Sequence, residues 1–260
     1  MSTFILSLLL GTALASDSAE HRSDAPEWAV DIHAAAESVW ASNPEGAASA
    51  WDAQPGKTRA GFLRFSGPVV SDPALMPILA ARLAQGHDTP EVRVALAESL
   101  WRTGGDWDWV AVRILAEEAD PSVREVIVDT LRHASGDAVL SALETSGADD
   151  DPDVRAAAMR SLGRVEGGAA FSHIILDGLS DEATEVRGFA ARSAGWMELD
   201  AAWELLTGLL TDPHPETRLK SLRALEDIDA NRLSSLPQLV TLERDTDHRV
   251  ARLATGCRTP

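Results

Sequence analysis

A Val-Arg dipeptide returns along the chain at a nearly constant interval, and that recurrence restricts the possible folds more than any other feature. It occurs at Val92-Arg93, Val123-Arg124, Val154-Arg155 and Val186-Arg187, and continues in altered form as Thr217-Arg218 and His248-Arg249. The Arg positions are separated by 31, 31, 32, 31 and 31 residues. Self-similarity at such a period is the signature of repeat architectures, in which one supersecondary unit is copied and stacked. Each copy follows an acidic or Pro-containing turn: Asp88-Thr89-Pro90, Asp120-Pro121, Asp151-Pro152, Asp181-Glu182, Asp212-Pro213 and Asp245-Thr246. An Asp or Thr at a helix N-cap accepts a backbone N–H, and Pro at the next position loses nothing, since its missing donor would have no intrahelical partner. Each turn is therefore expected to start a helix.

The residues that follow have helical spacing. Four after each Arg stand Ala97, Val128, Met159, Ala191, Leu222 and Leu253, and seven after stand Leu100, Leu131, Leu162, Ala194, Leu225 and Gly256. With the residue before the Arg they form an apolar stripe, weakest in the last copy. These are second helices. Other apolar-periodic segments lie between them, at 75–83, 109–116, 138–143, 169–179, 201–210 and 236–242, and supply first helices. With 45% hydrophobic residues but only 5% aromatic and no Tyr, the composition favours helices over strands. Two short helices per unit cannot bury their own apolar face, so neighbouring units must stack.

The combination of an apolar helix, an Asp-Pro turn, Val-Arg and Ala-rich helical spacing resembles HEAT repeats, of the short kind named after phycobilisome lyases, over residues 74–256. The resemblance implies an all-α fold: a right-handed α-solenoid, or superhelix, of about six stacked HEAT-like helix pairs with an N-terminal helical cap. Residues 26–73 form that cap; Lys57 to Arg64 echo Thr217-Arg218 as an irregular further unit, and residues 27–41 read as another helix. Residues 257–260 form a C-terminal tail. At the other end, Phe4 to Ala15 is apolar and closes on Ala13-Leu14-Ala15, followed by the polar run Ser16 to Arg22. This suits a signal peptide over 1–15 and a disordered leader over 16–25, although no Lys or Arg precedes the apolar run. Twelve apolar residues are too few to span a bilayer, so no membrane insertion is expected after cleavage. The expected location is periplasmic or extracellular.

Chemistry is sparse. The net charge of −18 excludes a basic nucleic-acid binder. The one Cys, Cys257, leaves no intrachain disulfide or Cys-rich zinc site. Some helical-repeat enzymes, such as deoxyhypusine hydroxylase, hold iron with His-Glu pairs, but none of the seven His here is followed by Glu. The cluster Asp149, Asp150, Asp151 and Asp153 lacks the Gly turn and distal Glu of a calcium loop and reads as a cap of the next helix. No nucleophile motif or phosphate-cradling loop is present, so no catalytic residue, metal or cofactor is assigned. The once-per-repeat Arg93, Arg124, Arg155, Arg187 and Arg218 sit one turn inside acidic loops, where they can form a ladder of Arg-to-Asp hydrogen bonds between neighbouring repeats.

A different column carries the functional expectation. Five residues after each repeat Arg come Glu98, Asp129, Arg160, Arg192, Arg223 and Ala254, with Arg164 and Trp196 a turn further on. Second helices typically line the concave side of such solenoids, so Arg160, Arg164, Arg192, Trp196 and Arg223 would form a strip that contacts an acidic or aromatic partner. The acids two before the repeat Arg and the bases later in each helix also complement the macrodipole, and that alone could account for the column. Trp101, Trp107 and Trp109 flank Gly104-Gly105 and are either core at a repeat junction or an exposed anchor. The expected function is a non-catalytic, monomeric protein-interaction scaffold. The alternative is a ligand-binding or lyase-type enzyme subunit that uses the concave groove.

Overall fold

The computed structural model describes residues 55–65, 82–86, 88–101 and 106–258. The segments 1–15 and 16–25, the cap helix at 27–41 and residues 75–81 of the first predicted helix lie outside the described residues. Among the described residues every regular element is a helix. The chain divides into two compact units, Met1–Val123 and Arg124–Pro260.

In the first unit, α1 (Gly56–Phe65) packs on α2 (Pro90–Leu100), and α3 (Trp107–Leu115) leads to α4 (Pro121–Thr130), within which the division falls. In the second unit come α5 (Asp137–Ser146), α6 (Pro152–Leu162), α7 (Ser172–Gly178), α8 (Thr184–Trp196), α9 (Trp203–Leu209), α10 (Pro215–Ser234), α11 (Gln238–Leu242) and α12 (His248–Arg258). Helices α2, α4, α6, α8, α10 and α12 are the second helices that the Val-Arg period predicts. They pack on one another in sequence order, α6 on α8, α8 on α10 and α10 on α12, while the first helices pack on them from one side.

The apolar stripe forms the core. Val92, Val123, Val154 and Val186 are fully buried, as are Ala97, Val128, Ala191 and Leu222 one turn on, and Leu131, Leu162, Ala194 and Leu225 two turns on. Each such aliphatic side chain larger than Ala contributes about 1.5–3 kcal/mol through burial. In the last copy Leu253 is half-buried and Gly256 exposed, which matches the weaker stripe there. The facing positions are small, and two buried hydroxyls tie adjacent second helices together. Ser161 Oγ donates to the Val128 carbonyl and Ser193 Oγ to the Met159 carbonyl, both at 2.8 Å.

The Arg ladder is present. Arg59 pairs with Asp88 and Arg93 with Glu118 in the first unit. In the second, Arg124 reaches Asp149 through Nε at 2.9 Å and Nη2 at 2.8 Å, and Arg155 reaches Asp181 at 2.8 and 3.0 Å. Arg187 donates to Asp212 at 2.8 Å and Arg218 to Asp245 at 2.7 and 2.6 Å. Five of these six carboxylates also close their own turn by taking an amide two residues on, as Asp149 does from Asp151 N, Asp181 from Ala183 N and Asp245 from Asp247 N; Asp88 is the exception, because Pro90 has no N–H to give. One carboxylate therefore links the entry of its helix to the preceding repeat.

The details differ from the sequence pattern in four places. Of the expected caps, Asp151 does accept from Asp153 N and Val154 N, but Thr89 makes no side-chain cap bond, and α8 and α10 start after Ala183 and His214 rather than at Asp181 or Asp212. The ladder carboxylate sits before the cap in those repeats. Two first helices open with a 3-10 turn, Gly168–Phe171 and Asp200–Ala202, because the chain reverses there; Gly167 sits at φ 82°, a left-handed conformation that favours glycine. Helix α10 is broken at Asp229 (φ −160°, ψ 95°), whose Oδ1 accepts from Arg232 N at 2.9 Å and so caps the continuation. Helix α12 takes in Cys257 and Arg258, which the periodicity leaves in a tail.

Candidate functional site

The expected strip lies in the second unit, on α6, α8 and α10. Helix α8 is its axis because it carries Phe189, Arg192 and Trp196 on successive turns. Trp196 is 38% exposed and holds two guanidiniums: Arg192 Cζ, one turn earlier on the same helix, and Arg164 Cζ, from the turn after α6, each stand 4.4 Å from its ring centre. Two turns before Trp196, the half-buried Phe189 ring receives a second pair of cations. Arg160 Cζ from α6 lies 4.9 Å from its centre and Lys220 Nζ from α10 lies 4.3 Å away. Cations over aromatic faces gain about 0.5–1 kcal/mol each when exposed and more when desolvated.

Lys220 lies closely over Gly188. A Cβ there would stand 3.3 Å from Nζ and 3.4 Å from Cδ. Burial pushes the Lys220 ammonium below its ordinary pKa, Glu216 and Glu185 oppose the shift, and Arg192 and Arg160 reinforce it. The α6 edge of the strip is acidic. Arg160 pairs with Asp129 there, and the carboxyl of Glu125 is raised by burial and then by Asp153. No carboxylate among the described residues pairs with Arg164, Arg192 or Arg223.

The structure thus brings Arg160, Arg164, Arg192 and Trp196 onto one face, in two groups rather than one evenly spaced column. Arg223, on α10, is exposed and joins neither group. Phe189 and Lys220 belong to the face and are absent from the sequence-based set. Their signal was available two residues after each repeat Arg, where the Ala of Ala95, Ala157 and Ala251 gives way to Phe189 and Lys220. The Trp cluster of the first unit separates: Trp107 is buried, whereas Trp109 is 57% exposed with Arg113 Cζ at 4.9 Å from its ring.

The ladder arginines are occupied by structure, as their once-per-repeat placement predicts. Asp149 and Asp181 are pushed up by burial, but hydrogen bonds from Arg124 and Arg155 and from the turn amides outweigh this and hold both carboxyls below the ordinary range. At Asp245 the hydrogen bond from Arg218 leads, with the same net direction. Asp149 and Asp151 of the acidic cluster are thereby engaged in the ladder and the α6 cap. Among the described residues, no three His, Cys, Asp or Glu side chains converge as metal ligands, and no helix is long and apolar enough to cross a membrane.

A family model described as HEAT repeats matches residues 172–256. Similar solved structures include a designed armadillo repeat protein, 17% identical, covering 70% of this chain and 98% of that one with a TM-score of 0.49. An engineered protein is 19% identical over 78% of this chain and 94% of that one, with a TM-score of 0.48. Human deoxyhypusine hydroxylase in complex with glycerol is 18% identical over 90% of both chains, with a TM-score of 0.39. No curated protein matches the chain.

Proposed function

We propose that this protein, whose residues 172–256 are HEAT repeats, is a non-catalytic interaction scaffold that engages a partner protein through Arg160, Arg164, Arg192, Trp196 and Arg223. The observation that carries the reading is Trp196, 38% exposed and held between Arg164 and Arg192, neither of which pairs with a carboxylate among the described residues. Trp and Arg are the residues in which binding energy concentrates at interfaces. Side chains already held by mutual contact lose little freedom on binding, which lowers the entropic cost of association. In a chain of net charge −18, cations on one face that pair with no carboxylate among the described residues are suited to steering an acidic partner.

The proposal extends to a monomer exported to the periplasm or beyond, supported by the apolar run Phe4 to Ala15 with its small-residue end. Crosslinking in the native envelope followed by mass spectrometry identifies the partner. The triple change Arg160→Glu, Arg192→Glu and Arg223→Glu is expected to abolish its capture while leaving helicity intact. Unchanged capture by that variant would sink the assignment.

A further inference from the structure

We infer that the α8 face is a two-centre acid-binding site, one centre at Arg160, Phe189 and Lys220 and the other at Arg164, Trp196 and Arg192, and that it takes an extended protein segment with carboxylates three residues apart. This rests on the reading of the second unit as a partner-binding surface and names the chemistry that surface selects.

The first observation is convergence. Like charges repel, yet Arg160 and Lys220 come from helices on either side of α8 to meet over the single Phe189 ring, with Lys220 lying closely over Gly188. Arg164, from the turn after α6, and Arg192, from α8 itself, likewise meet over Trp196. The edge of an aromatic ring is the positive rim of its quadrupole, so a carboxylate seated there meets the ring edge and the cations beside it. Burial is the main cause of the lowered Lys220 pKa, and Arg192 and Arg160 add to it.

Spacing fixes the ligand. Phe189 and Trp196 lie seven residues apart on a continuous helix, which is about 10.5 Å along its axis. An extended chain in the polyproline II conformation has three residues per turn and advances about 3.1 Å per residue, so side chains three apart share a face and cover nearly the same distance. Charge distribution decides against a dense polyanion. Acids already stand near the cations: Asp129 pairs with Arg160, Glu185 and Glu216 act on Lys220, and Glu125 feels both Arg160 and Asp153. A chain with a negative charge at every step would meet these acids, whereas two carboxylates separated by neutral residues would not.

The test uses the full chain and fluorescein-labelled nine-residue peptides with blocked ends, read by fluorescence anisotropy. One peptide carries two Glu at i and i+3; others carry them at i and i+1 or at i and i+6, and controls carry one Glu or Gln pairs. The i, i+3 peptide is expected to bind at least about fivefold tighter than every other. Lys220→Ala and Arg192→Ala should each reduce its affinity to that of the one-Glu peptide. Equal affinity for all two-Glu spacings, or displacement by inorganic phosphate without any spacing preference, overturns the two-centre site while leaving an acidic-partner surface standing. No binding by any acidic peptide overturns both.

Discussion

Replacing Asp181 by Ala removes three hydrogen bonds at once, and the structure fixes what each is worth. The carboxylate accepts from Arg155 Nε at 2.8 Å and Nη2 at 3.0 Å, and from the Ala183 amide at 2.8 Å. Hydrogen bonds to charged groups contribute about 1.5–3 kcal/mol net. A lost turn amide costs about 1 kcal/mol, as at an N-cap. The Arg155 and Asp181 side chains are 13% and 14% exposed, so solvent screens them little. The guanidinium is not stranded, however, because the carbonyls of Asp149 and Asp150 still accept from Nη1 at 2.9 and 3.1 Å. Asp181→Ala should therefore destabilise the second unit by about 3 kcal/mol, below the upper end for an abandoned buried ion.

A double-mutant cycle with Arg155→Ala isolates the pair itself, and the expected coupling is about 2 kcal/mol. The pair Arg249 and Glu216 is the internal comparison. It has the same chemistry at 2.9 Å, but its side chains are 47% and 40% exposed, so solvent screens the pair and its coupling should be clearly smaller. Urea unfolding followed by far-UV circular dichroism measures both cycles. A coupling for Arg155 and Asp181 no larger than that for Arg249 and Glu216 would refute the ladder as a stabilising device.

The same carboxylates set the response to acid. Asp149, Asp181 and Asp245 have folded pKa values below their unfolded ones, so their stabilisation is complete above about pH 4 and is lost as pH falls through the folded values. The urea midpoint should fall as pH drops below that point, and Asp181→Asn should flatten the slope. Ser193→Ala should cost about 1 kcal/mol by removing the buried bond to the Met159 carbonyl, and Ser193→Val about 1–3 kcal/mol more through overpacking. The second figure follows because Ser193 already lies against Gly163, where an added Cβ would stand 2.7 Å from Ser193 Cβ. Thermal unfolding of the two variants checks both values.

The second helices and the ladder are legible in the sequence because each depends on a residue repeated at fixed spacing. Val154, Arg155, Met159 and Leu162 predict a buried stripe and a turn-facing cation, and the fold uses them so. What the period does not show are events without a counterpart in other repeats. The 3-10 entry at Gly168 and the break at Asp229 answer local chain reversals rather than the common pattern. The site escapes for a related reason. A column predicts which face Arg160 and Arg192 occupy, but not that a Phe on the helix between would draw Arg160 and Lys220 together from opposite neighbours. Nor does proximity in sequence separate the buried Trp107 from the exposed Trp109, since that depends on which turn faces the core.

The most direct measurement of the proposed interface is site-specific photo-crosslinking in cells of the source organism. A benzophenone side chain at Asp227, one turn beyond Arg223 on α10, probes the second-helix face; the same group at Val240, 49% exposed on α11, probes a first helix. Position 227 is expected to give an adduct within an acidic segment of one partner, lost in the Arg192→Glu background, and position 240 is expected to give none. Matching adducts from both positions, or an adduct at 227 indifferent to Arg192→Glu, would contradict the assignment of the α8 face as the binding surface.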